Sequence, residues 1–233
     1  MIARILALLL LAGCIPMFPY AVQRVFLDTP IEATMGTVQK IFYFHVPMAW
    51  ICMLFAVVCG IAAVVQLARR SGAAEAVAIA AAEITVIAGL AVLVSGPLWG
   101  ARSWSSPWTN DPRQVATALL WLVFVAYLLV RRFGPPNADR LAAGLAVFGL
   151  IDVPIIWYAV RVWKTTHPTT NVVGTLPAEM WASFWPGCFT LLACSLGLFF
   201  VRVAQERQSQ ALDQAWIAYD RVRTDRQAAE VSA

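Results

Sequence analysis

Charge and histidine are what this chain has least of. Only 13% of its 233 residues are charged, and two are histidine, His45 and His167. With 61% hydrophobic residues and a mean hydropathy of +0.71, the shortage of charge excludes an ordinary water-soluble domain. Strict apolar–polar alternation is missing too, which excludes a transmembrane β-barrel. There are five cysteines but no Cys-x-x-Cys pair and no metal-ligand spacing, so the thiols read as small buried hydrophobes. No Gly-x-x-x-x-Gly-Lys-Ser/Thr loop is present to cradle a nucleotide. The net charge of +4 needs no nucleic acid to explain it once the cations are placed.

What is there is apolar length. Six runs are long enough to cross a hydrocarbon core: Ile2–Tyr20, Ile41–Leu67, Val77–Trp99, Val115–Val130, Leu141–Trp163 and Trp181–Val203. They predict an all-α polytopic membrane protein, a bundle of six transmembrane helices over residues 1–203, followed by a tail over 204–233. With the amino terminus inside, eleven of the 17 Lys and Arg fall on the cytoplasmic side and six outside. The pairs Arg69–Arg70 and Arg131–Arg132 follow spans directly, where this bias is strongest. Both termini are therefore expected in the cytoplasm. Leu11-Ala12-Gly13-Cys14 resembles a lipoprotein cleavage site, but Ile15–Tyr20 carries the hydrophobicity onward as a span does.

That topology puts both histidines outside. His45 sits in "VQKIFYFHVPMAW" at the outer end of the second span, and His167 in "VWKTTHPTT" after the fifth. Between them runs "WGARSWSSPWTNDPR", from Trp99 to Arg113. Trp50, Trp99, Trp104, Trp108, Trp163, Trp181 and Trp185 all map to the outer half, more lopsided than the two-sided belt that tryptophan forms at membrane interfaces. Two imidazoles without acidic or sulfur partners are too few for a zinc site. Haem fits better: neutral imidazole is a usual axial ligand, and indole faces stack on the flat apolar macrocycle. Arg102, Arg113, Arg161 or Lys164 pair with its two propionates.

The three segments together resemble the haem exporter protein C (CcmC) family of cytochrome c-type biogenesis. Trp99, Gly100, Trp104, Trp108, Asp111 and Arg113 keep positions of that family's tryptophan-rich WWD signature. "FYFHVPMAW" and "VWKTTHPTT" are similar to its two histidine motifs, and the resemblance spans Ile31 to Phe200. Pro107 and Asn110 stand where the family has further tryptophans, Pro168 where it often has glutamine, and Val162-Trp163 replaces a Trp-Trp pair. The resemblance implies a multi-pass protein of the bacterial inner membrane that is not an enzyme. His45 and His167 would be the iron ligands, with Trp99, Trp104, Trp108, Arg102, Arg113 and Lys164 around them. The cargo would be haem b, held non-covalently and handed to a periplasmic haem chaperone beside ATP-binding-cassette (ABC) transporter subunits of the same maturation system.

Three further readings come from the residues. Glu83 and Asp152 lie inside spans, where carboxylates are functional candidates, and on that basis the alternative is a secondary transporter of another solute. Asp111-Pro112 precedes the fourth span as an N-cap with proline at the first helical position, so Asp111→Asn is expected to be mild. Leu212, Ala215, Trp216, Tyr219 and Val222 recur at helical spacing, predicting an amphipathic cytoplasmic tail helix that meets membrane lipid or a partner.

Overall fold

The structure, a computed structural model, describes residues 2–135, 138–168 and 172–231. Six helices account for nearly all of it: α1 (Ile2–Gln23), α2 (Phe42–Arg69), α3 (Gly72–Ser103), α4 (Pro112–Phe133), α5 (Asp139–Val162) and α6 (Ala178–Val231). Each is long and apolar enough to cross a membrane. They form because hydrocarbon offers no partner for a peptide group, so backbone amides are satisfied within each helix, except at its ends and at the internal prolines Pro16, Pro19, Pro47, Pro97, Pro154 and Pro186. Hydroxyls inside the spans follow the same constraint: Thr85 donates to the Ala81 carbonyl, Thr117 to Arg113 and Thr190 to Pro186. α1 runs unbroken through Cys14 to Gln23.

Small residues set how closely the helices approach. The buried face of α3 is a ladder of Ala78, Ala81, Ala82, Thr85, Ala88 and Gly89 that admits α2. A Cβ on Gly60 of α2 would lie 2.6 Å from the Cβ of Leu150 on α5, and one on Gly149 would lie 2.6 Å from the Phe124 ring on α4. α1 packs on α6, α4 on α3 and α5, and α2 sits in the middle against α3, α5 and α6.

The two ends of the bundle differ. At one end, called here the basic end, Arg131 bridges Glu75 and Asp139, joining α3, α4 and α5. Gln210 of α6 donates to the same Glu75. Nearby, Arg202 of α6 forms a two-pronged pair with Glu83, at 2.5 and 2.7 Å. Glu83, a candidate for solute coupling by sequence, is thus an ion-pair partner tying α3 to α6. Asp152 is buried, and its Oδ2 has no partner among the described residues.

The other, aromatic end holds the segments between α1 and α2, α3 and α4, and α5 and α6. After α1 the chain makes a π-helical turn (Arg24–Asp28) and later a 3-10 turn (Thr37–Ile41). Lys40, buried in that second turn, donates to the carbonyls of Val25, Phe26 and Thr29 at 2.6, 3.2 and 3.0 Å, capping the π-helical turn that follows α1. Phe42, Tyr43, Trp99 and Phe184 close the core beneath it.

α6 differs in one respect from a span followed by a separate tail. It continues through residue 203 without a break for 54 residues, about 80 Å. Leu212, Trp216, Tyr219 and Val222 are all exposed on the continuation.

Replacing Glu83 by alanine leaves the Arg202 guanidinium without its carboxylate. The loss should be roughly 2 kcal/mol, the scale of hydrogen bonds to charged groups, read as a lower midpoint of thermal unfolding in detergent micelles. An unchanged midpoint would show that the pair is solvated and does not hold α6 to α3.

Candidate functional site

His45 and His167 are 122 positions apart in the chain, yet line one cleft at the aromatic end. The cleft wall also includes Trp50, Trp99, Trp104, Trp108 and Arg113. Its floor is Cys52, Leu120 and Ile156, with Gln114 and Thr117 on the α4 side. The enclosed space is about 90 Å³, room for a few waters and not for a large ligand.

His45 projects from the first turn of α2 and is 7% exposed. Its Nδ1 lies 2.8 Å from the hydroxyl of Ser95 on α3. Glycine at position 96 is what lets the ring lie there, because a Cβ would sit 3.3 Å from the imidazole Cε1. Trp99, one turn further along α3, meets His45 edge-on at 5.9 Å and Phe42 edge-on at 6.1 Å. It stacks on Trp104 at 6.3 Å, and its indole N–H donates to the Met35 sulfur. At 4% exposure Trp99 is a wall of the cleft, fixed on every side, and Trp108, 39% exposed, is the ring with an open face. α3 extends to Ser103, four residues past the apolar run, so Trp99 stands on a helix and not in the loop. Trp104 packs over Gly100, where a Cβ would come within 3.2 Å of its ring.

His167 is placed by Asp111. One carboxylate oxygen accepts from the Arg113 N–H at 2.9 Å and caps α4, as the Asp-Pro pair predicts. The other accepts from the Thr165 hydroxyl and from the Thr166 N–H at 2.9 Å. Thr165 Oγ1 in turn accepts the His167 N–H at 3.0 Å, and the His167 ring donates from Nδ1 to the Pro168 carbonyl at 2.9 Å. A single carboxylate, 5% exposed, therefore fastens the α5–α6 segment to the start of α4. Asn110, just before it, holds φ +53, a conformation asparagine tolerates, and its side chain accepts the Trp108 indole N–H at 2.8 Å.

Electrostatics keep both partners in the useful form. Burial, then the positive charge of Arg113, lowers the His167 pKa to about 4, against smaller opposing effects of the Pro168 carbonyl and Asp111. The imidazole is neutral at physiological pH, with a lone pair free for a metal. For Asp111, burial pushes the pKa upward, but hydrogen bonds from Thr165, Arg113 and Thr166 outweigh it and hold the carboxyl below its ordinary range.

Of the eight residues singled out by sequence, six meet in the cleft: His45, His167, Trp99, Trp104, Trp108 and Arg113. Arg102 and Lys164 are exposed and do not line it. The sequence reading did not pick out Ser95, Gly96, Gln114, Thr117, Thr165 or Thr166. A serine and a glycine side by side within an apolar run were the available signal for the first two.

A polytopic helical membrane protein with two imidazoles and a guanidinium in one aromatic cleft is a definite class. Comparison with known proteins narrows it. The family model described as Heme exporter protein C matches residues 1–219, and the chain belongs to that family. It is 32% identical over 181 residues to Heme exporter protein C of Bradyrhizobium diazoefficiens, covering 74% of this chain and 69% of that one. It is 29% identical over 178 residues to the Rhodobacter capsulatus protein of the same name, covering 76% and 74%. The Escherichia coli K12 counterpart is 29% identical over 182 residues, 74% of this chain and 73% of that one.

The double duty of Asp111 corrects the expectation that asparagine replaces it mildly. An amide can cap α4 or receive the Thr166 N–H through its one oxygen, but it cannot do both, and its NH2 then faces donors. Asp111→Asn should free the His167 segment and raise the rate at which diethylpyrocarbonate modifies His167 by roughly tenfold or more, from loss of charged hydrogen bonds. A wild-type rate would show that Asp111 serves only as the cap.

Proposed function

We propose that this protein binds haem b non-covalently, as cargo, at the extracytoplasmic face of the bacterial inner membrane, and presents it to a periplasmic haem chaperone for cytochrome c maturation. The observation that carries the reading is the convergence of His45 and His167 with Arg113 in one aromatic cleft. Neutral imidazoles are suited to iron, and Arg113 to a propionate. Because the enclosed space is small, most of the macrocycle would lie on the open side, against the exposed face of Trp108. Such a half-covered disc suits a ligand that is to be passed on. Arg102, and Lys164 three residues before His167, would stand on the exposed rim and attract the propionates. The names of the relatives support a part in haem export; the link to cytochrome c maturation, with ABC-type transporter subunits as partners, follows from the family resemblance. The protein would act as a haem-handling component and not as an enzyme, with residues 1–203 as the membrane domain and 204–233 as a cytoplasmic tail; positions 232–233 lie outside the described residues.

The transport alternative now rests on Asp152 alone, since Glu83 is engaged by Arg202.

Purified protein should carry close to one haem per chain, with the sharp reduced bands of a six-coordinate low-spin iron. His45→Ala or His167→Ala should each lower haem retention by more than roughly tenfold, since losing even an outer partner of a metal ligand costs that much. Retention of haem by the double variant would sink the assignment. Sidedness is tested separately: reporters fused after Arg70, Arg132 and Arg207 should read cytoplasmic, and one after Arg102 extracytoplasmic. The opposite pattern would reverse the face.

A further inference from the structure

We propose that Ser95 is a positioning residue that sets the tautomer of His45, so that Nε2 is the nitrogen presented to the cleft. A serine hydroxyl has one hydrogen and two lone pairs. The Ser95 oxygen lies 2.6 Å from the Ala91 carbonyl and 3.5 Å from that of Val92, both in its own helix. Neither carbonyl can donate, so the hydroxyl hydrogen is directed at them. His45 Nδ1, 2.8 Å away on the other side, then faces a lone pair. A bare Nδ1 there would set two acceptors against each other, so Nδ1 carries the imidazole hydrogen and donates it to Ser95. The lone pair of the neutral ring is left on Nε2.

His167 reaches the same state by a simpler route. Its Nδ1 lies 2.9 Å from the Pro168 carbonyl, which accepts and cannot donate. Two histidines from distant parts of the chain are thus both held as the Nδ1–H form by oxygen acceptors. A hydroxyl that already donates is a stronger acceptor, and in a buried site such a chain reinforces itself. The Ala91–Ser95–His45 relay therefore makes His45 Nε2 a more basic ligand as well as a correctly protonated one. The tautomer assignment rests on hydrogen-bond geometry, and only its effect on haem rests on the function proposed above.

The test uses the full-length protein, labelled with ¹⁵N-histidine, purified free of haem in micelles and assigned with the aid of His167→Gln. Nitrogen NMR should show His45 protonated on Nδ1. Ser95→Ala should move His45 toward the Nε2–H form and leave His167 unchanged, whereas Ser95→Thr, which keeps the hydroxyl, should preserve the wild-type pattern. Haem retention should fall about 10- to 100-fold in Ser95→Ala, as for other outer partners of metal ligands, and recover in Ser95→Thr. A wild-type His45 protonated on Nε2, or an alanine variant with an unchanged tautomer, overturns the proposal. If the tautomers behave as stated and no variant binds haem, the role of Ser95 stands and the haem reading is what fails.

Discussion

The carboxylate of Asp111 is the point on which the aromatic end depends. A buried anion is costly unless its oxygens are filled with hydrogen bonds, and here the donors come from two places far apart in sequence. Satisfying them requires the start of α4 and the segment after α5 to meet. Arg113 and His167 are delivered to the cleft by that meeting. Arg113 then adds to burial in keeping His167 neutral against the smaller opposing effect of Asp111, so the carboxylate organises the geometry and the guanidinium beside it the protonation.

The aromatic rings divide into two populations with different physical tasks. Trp99 is enclosed by His45, Phe42, Trp104 and Met35, so it fixes distances and offers little surface. Trp108 is tethered through its indole N–H to Asn110 and keeps a face open. A rigid inner wall with one accessible ring outside it suits a ligand gripped at its centre and uncovered at its edge. The glycines at 96 and 100 make this possible by removing Cβ atoms where His45 and Trp104 lie against α3.

The six helices were legible because the hydrocarbon thickness acts on sequence directly, as uncharged length. The two histidines and the tryptophans were legible because imidazole and indole are scarce and lopsided along the chain. What the residues could not disclose was direction. The apolar run ends at Trp99 while the helix continues to Ser103, and that continuation leaves Arg102 exposed. Lys164 follows α5 on an exposed stretch for the same reason: a neighbour in sequence to His167 need not share its face. The pairing of Glu83 with Arg202, 119 positions away, depends on which helices touch, and nothing local encodes it. Asp111 was half legible. Its cap follows from Asp-Pro, whereas its hold on Thr165 and Thr166 belongs to tertiary structure alone.

Lys40 has a consequence for how the chain is inserted and for what it becomes afterwards. While the polypeptide is being threaded into a membrane, every unfolded lysine and arginine weighs on its orientation, and Lys40 counts as a cation that resists carrying this end across. Once α1 and the 3-10 turn have closed, the ammonium is enclosed by three carbonyls. The charge asymmetry that governs assembly is therefore not the asymmetry of the finished surface. An anion approaching the folded protein meets a weaker field from this end than the nascent chain would have shown, and the cation that lines the cleft, among the described residues, is Arg113.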